Sequence, residues 1–122
     1  MAWPFAYGFV CGTRAPDGDP VDVVLLSDAP INAGTLVPAR ILGGVEAEQT
    51  IGSDTFRNDR IIAGDARPGQ ARRETAHALT AEEVRSIERF FVEYNAAQGR
   101  RFRVLRRLFA DEARALVESS TR

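Results

Sequence analysis

Residues 80 to 99 admit one local structure. Thr80-Ala81-Glu82-Glu83 is a capping box, in which Thr80 can accept from the Glu83 amide and Glu83 can reach back. Behind it Val84, Ile87, Phe90, Phe91 and Tyr94 recur at helical spacing, and Gly99 is a natural stop. A helix with an apolar stripe needs a second layer to bury it. Candidate strands precede it. Residues 21–26, VDVVLL, are short, β-branched and almost continuously apolar, as a buried strand should be. The preceding DGDP is a turn signature, and 27–34 read as a loop punctuated by Pro30 and Gly34. A second strand is expected over 35–45, with Pro38 marking an edge or bulge and Gly43-Gly44 a bend. Residues 46–59 suggest a polar hairpin or irregular loop, 60–63 a third strand, and 64–76 a polar linker. After Gly99, a short strand over 102–105 leads to a last helix over 111–119. Asp111 and Glu112 suit its N-terminus, and Ala113, Leu116 and Val117 form its apolar stripe. The order, β-rich and then helical, is an α+β pattern.

The chain's 122 residues fit one domain over 1–122, and 44% hydrophobic content supports a real core. Formal net charge is −1, which selects no class of partner. All sixteen basic residues are Arg, and seven follow residue 99. The densest run is Arg100-Arg101-Phe102-Arg103-Val104-Leu105-Arg106-Arg107, where alternating Phe102 and Val104 fit a half-buried strand with Arg outward. Balanced overall charge and the lack of Lys argue against a nucleic-acid partner. The single cysteine, Cys11, excludes an internal disulfide and is expected as a buried, inert thiol. His77 has no Cys, His or carboxylate at ligand spacing and is expected in solvent. There is no basic-then-apolar leader and no long apolar run, so a cytoplasmic protein with no membrane partner is the expectation.

The sharpest chemical signal is RAPDGDPVDVVLL, residues 14–26, where Asp17, Asp19 and Asp22 crowd onto the lip of a core strand. Repulsion and desolvation oppose that arrangement. A divalent cation would remove the conflict, since carboxylates are hard oxygen ligands and Mg²⁺ takes a few of them plus waters and phosphates. Gly18 allows a tight turn, and Pro20 delays the strand until Val21, so the three carboxylates can converge. An EF-hand fails, because its fifth and sixth positions, counted from Asp17, hold Val21 and Asp22. A solvated Asp/Gly/Pro turn is the alternative these residues leave open.

Residues 3–26 resemble the signature region of the soluble, family I inorganic pyrophosphatases: an aromatic-Pro-x-x-Tyr-Gly-aromatic segment, a spacer, then Asp-Gly-Asp-Pro-hydrophobic-Asp. The likeness continues through Ala39-Arg40-Ile41, 58–63 and Phe90-Phe91-Val92-Glu93-Tyr94. It implies a small OB-like β-barrel, incomplete at its N-terminus, with two C-terminal helices. It implies Mg²⁺-dependent hydrolysis of inorganic pyrophosphate to two phosphates through metal-activated water, in a homo-oligomer. By position, Asp17 and Asp22 resemble metal ligands, and Asp19 the group that orients or deprotonates the attacking water. Tyr7, Arg60 and Tyr94 resemble substrate-binding groups, Arg60 standing where Lys usually binds phosphate. Asp54 and Asp59 have the spacing of a second metal-ligand pair, although strict alignment places Asn58 at the second ligand position. Asn95 follows Tyr94 where the family usually has a phosphate-binding Lys, Trp3 replaces a usual Tyr, and a family segment ahead of Met1 is absent. These departures imply an alternative: a catalytically degenerate relative acting as a metal-binding or assembly module.

Overall fold

In the computed structural model, residues 5–15, 18–27, 29–68 and 79–121 are described. Asp17, His77, Trp3 and most of the 64–76 linker lie outside them. Strands β1 (Ala6–Phe9), β2 (Asp22–Leu26), β3 (Ala39–Ile51), β4 (Asp54–Arg57) and β5 (Arg60–Asp65) come first. Helix α1 (Ala81–Ala97), strand β6 (Arg101–Leu108) and helix α2 (Ala110–Ser119) follow. The six strands form one sheet in the order β1-β2-β5-β3, with β4 and β6 also paired to β3. The β2–β5 pair is parallel and the others are antiparallel. The α+β expectation stands. Among the described residues the sheet does not close on itself, so the expected OB-like barrel is matched only loosely, by an open mixed sheet with two helices.

Strand β5 explains the layering. Every one of its residues is buried, and successive side chains alternate between the faces of the sheet. Ile62 joins a core with Val24, Val45, Ile87 and Phe91 under α1. Its neighbour Ile61 joins a second core with Val21, Leu108 and Ala113 under α2. The two helices therefore cover opposite faces. Helix α1 forms as its sequence demands: Thr80 Oγ1 accepts from Glu83 N at 3.1 Å, and Glu83 Oε1 accepts from Thr80 N at 3.0 Å. Gly99, at φ 73°, leads the chain out.

Three sequence expectations change. Strand β3 begins at Ala39 rather than 35 and runs to Ile51, through a segment read as polar. Val45, Ala47 and Gln49 alternate inward there, against Glu46, Glu48 and Thr50, so the period of two was present but carried by weakly apolar residues. Gly43-Gly44 marks a register shift, and the shift falls between Ile41 and Gly43. A Cβ on Gly44 would lie 2.8 Å from the Arg60 carbonyl, so only glycine permits this strand approach. Cys11 is exposed rather than buried, because it sits in a turn closed by Gly12 at φ 76°. The Arg run on β6 faces outward as expected, and its charge is met by carboxylates. Arg103 pairs with Glu48 at 2.8 Å, Arg106 with Glu112 at 2.8 Å and Arg107 with Glu88 at 2.9 Å. Such exposed pairs each contribute at most about 1 kcal/mol.

Two buried polar links hold the layers in register. Asn95, 2% exposed on α1, donates from Nδ2 to the Phe91 carbonyl at 2.8 Å. Its Oδ1 accepts from Gln49 Nε2 of β3 at 2.7 Å, and Gln49 Oε1 accepts from Asn58 Nδ2. At the far end of β5, Asp65 accepts from Ser27 Oγ at 2.6 Å and from Arg67 Nη2 at 2.7 Å. The Arg67 hydrogen bonds hold the Asp65 carboxyl well below its ordinary value of 3.8, against the upward push of burial. Asn95→Ala removes the acceptor of a buried amide and should cost about 1–3 kcal/mol in urea unfolding. Because Asp65 has a depressed folded-state pKa, its stabilisation is present above 3.8 and fades as pH falls below it. Asp65→Asn should therefore lower Tm by several degrees at neutral pH, with the gap to the parent narrowing only as pH falls below about 4.

Candidate functional site

The parallel register pairs Asp22 with Arg60 at the entrances of β2 and β5. Both strands start at the same level, so one carboxylate and one guanidinium meet there. Arg60 Nη1 donates to Asp22 Oδ2 at 3.0 Å, to Asn58 Oδ1 at 2.5 Å and to the Asn58 carbonyl at 3.1 Å. Arg60 is only 5% exposed. Its guanidinium carbon lies 4.7 Å from the Phe91 ring centre, 5.3 Å from Phe102 and 5.7 Å from Tyr7. Those rings come from α1, β6 and β1, so the side chain joins most of the fold. Burying a charge costs several kcal/mol, which the ion pair, the hydrogen bonds and the cation–π contacts offset.

The expected aspartates divide. Asp19 is exposed in the turn before β2, where Ala15 N donates to the Asp19 carbonyl at 2.7 Å and Gly18 adopts φ 89°. This tight turn leaves Asp19 in solvent, while Asp22 is half-buried against Arg60. Asp54 and Asp59 are not brought together. Asp54 is exposed opposite Ile51 at the hairpin tip. Asp59 Oδ1 accepts from Ala47 N at 2.9 Å and from Arg57 Nη2 at 3.0 Å, four residues along β3 from Ile51, roughly 13 Å. Arg57 Nη2 also reaches Asp59 Oδ2 at 2.9 Å, so a guanidinium already neutralises this carboxylate. The side chain of Asn58, not that of Asp59, joins the Arg60 cluster; Asp59 meets Arg60 Nη1 only through its carbonyl, at 3.5 Å.

Tyr7 is 39% exposed on β1, with its ring over Arg60. Tyr94 is half-buried and stacks on Phe90 at 5.7 Å with 19° between planes. Arg60, expected to clamp a phosphate, has its Nη1 held by oxygens of the protein itself. Reading the residues alone missed Gln49 and the inward turn of Asn95. Asn95 lies four residues beyond Phe91 and so shares the buried stripe of α1, and Gln49 continues the inward series Val45, Ala47.

Among the described residues, no three His, Cys, Asp or Glu side chains surround a common point. The chemistry of Asp19 and Asp22, hard carboxylates on one turn, fits Mg²⁺, with Asp17 beside them in sequence. Asp59, spent on Arg57 and the Ala47 amide, does not fit.

The family model for inorganic pyrophosphatase matches residues 1–122. The inorganic pyrophosphatase of a Nostoc species is 31% identical over 121 residues, covering 98% of this chain and 69% of the relative. That of Campylobacter jejuni is 44% identical over 52 residues, covering 43% of this chain and 30% of the relative. Among solved structures, an inorganic pyrophosphatase from Coxiella burnetii superposes with a TM-score of 0.86 at 27% identity, covering 98% of this chain and 71% of that one. The Helicobacter pylori enzyme superposes at 0.80 and 27% identity, covering 97% of this chain and 69% of that one. With the family model matching end to end and a relative aligned along nearly the whole sequence, this chain belongs to the inorganic pyrophosphatase family.

Proposed function

We propose that this chain hydrolyses inorganic pyrophosphate to two phosphates in a Mg²⁺-dependent reaction, as a homo-oligomer in the cytoplasm. The observation that carries the reading is the split within one turn: Asp19 stands in solvent, while Asp22 is fixed by Arg60. Asp17, Asp19 and Asp22 would hold the metal. When bound, Mg²⁺ supplies a water acidified toward neutrality and neutralises charge on the phosphates. Asp22 is oriented by its ion pair and hydrogen bond, so its carboxylate need not reorganise during the reaction. Asp19, exposed and adjacent, takes the proton of the attacking water as a new P–O bond forms and the bridging P–O bond breaks. Tyr7 and Tyr94 contact the substrate phosphates, with the Arg60 charge beneath Tyr7. Asp54 and Asp59 have no part in this proposal, given the separation and the Arg57 pairing described above. Among the described residues no helix is long and apolar enough to cross a membrane.

Phosphate release from pyrophosphate by the purified chain, with and without Mg²⁺, tests the reading. Turnover that requires Mg²⁺ is expected. Asp19→Ala should lower it by roughly 10²–10⁴-fold while leaving circular dichroism and Tm unchanged, since Asp19 is exposed. No Mg²⁺-dependent release, or full activity in the variant, would refute it.

A further inference from the structure

Arg60 Nη1 faces Asp22 Oδ2 at 3.0 Å, Asn58 Oδ1 at 2.5 Å and the Asn58 carbonyl at 3.1 Å, with the Asp59 carbonyl farther off at 3.5 Å. A carboxylate, an amide oxygen and a backbone carbonyl are the donor set that a hard divalent cation takes. Here a nitrogen of a buried guanidinium occupies its centre. The oxygens are not there by chance of rotation. Asn58 Nδ2 is committed to Gln49 Oε1, Gln49 Nε2 to Asn95 Oδ1, and Asn95 Nδ2 to the Phe91 carbonyl. That sequence of donors leaves only the oxygen of Asn58 to face Arg60. The guanidinium is fixed just as firmly, between the Phe91, Phe102 and Tyr7 rings. Its Nε is buried with no hydrogen-bond partner among the described residues. The rings and these oxygens hold Nη1 in place.

We propose that Arg60 Nη1 is the resident cation of this oxygen pocket, standing in place of a divalent ion. Metal is thereby kept out of this pocket and limited to the side of the site that carries Asp19. The inference rests on the hydrolytic reading for the metal's role, but it concerns where charge sits and is tested without substrate. A Mg²⁺–oxygen distance is about 2.0–2.1 Å, so an ion bound to Asp22 Oδ2 and Asn58 Oδ1 together would overlap Nη1. The positive charge of Arg60 adds repulsion to that overlap. Arg60 is thus a positioning residue that acts through Asp22, and it limits how many cations the site takes.

Mn²⁺ titration of the pyrophosphate-free chain, read by calorimetry and by electron paramagnetic resonance, tests the proposal. Arg60→Met leaves an apolar side chain for the ring cage and empties the oxygen pocket. The variant should bind one further Mn²⁺ per chain, or bind Mn²⁺ about tenfold more tightly than the parent, as expected when a fixed like charge is removed. Equal stoichiometry and equal affinity would overturn the proposal. A measurement on the parent chain covers the case in which this variant does not fold. The Arg60 side-chain Nε–H resonance, identified by its loss in Arg60→Lys, should keep its shift and its slow exchange while Mg²⁺ saturates the protein. A saturable shift of that resonance, or its loss to rapid exchange, would mean that metal displaces the guanidinium. Failure of hydrolysis with these outcomes intact would refute the enzymatic reading alone.

Discussion

A guanidinium sealed within an apolar centre sets the terms for the rest of this structure. Arg60 is 5% exposed, so its charge has to be met where it stands. Meeting it recruits β2 through Asp22, the β4–β5 connection through Asn58, and the faces of three rings from β1, α1 and β6. A shift of β2 by one residue against β5 would turn Asp22 to the other face and leave the charge unpaired. Breaking a buried pair in this way costs several kcal/mol, more than any surface contact supplies. The ion pair therefore specifies register as well as site geometry.

The same logic separates two kinds of aspartate. Asn58 and Arg60 lie two residues apart and share a face, while Asp59 between them points the other way. Asp59 joins a charged surface array in which Arg57 approaches Glu46 at 3.5 Å, and Glu46 and Glu112 both meet Arg106. That array screens the Arg-rich strand. The Asp19–Asp22 segment is left as the stretch that carries both an exposed carboxylate and a carboxylate fixed by Arg60, the combination that the proposed reaction uses.

Much of the fold was legible. The Thr80–Glu83 box and the stripe ending at Tyr94 specify α1, and the β-branched run from Val21 specifies β2. Strand β3 was hidden past Val45 because Ala47 and Gln49 fill inward positions that pattern reading expects Val or Ile to fill. The aspartate turn was legible as a crowded carboxylate cluster from its spacing, and it was the family resemblance, not the charge density, that favoured a metal over a solvated turn. The choice between Asn58 and Asp59 was not, since spacing fixes the alternation of a strand but not which face meets the core. Arg60 was marked as a phosphate-binding cation by the resemblance, but its burial was not legible, because only the assembled rings reveal a place for it.

The account stands or falls on what occupies the oxygen pocket of Asp22 and Asn58 when the protein is loaded with metal. Crystals of the parent chain soaked in Mn²⁺ and measured at the manganese absorption edge answer this directly. The predicted map has anomalous density at the Asp17–Asp19 loop and an undisplaced Arg60 guanidinium between Asp22 Oδ2 and Asn58 Oδ1. Manganese bridging those two oxygens, with Arg60 swung away, would contradict it.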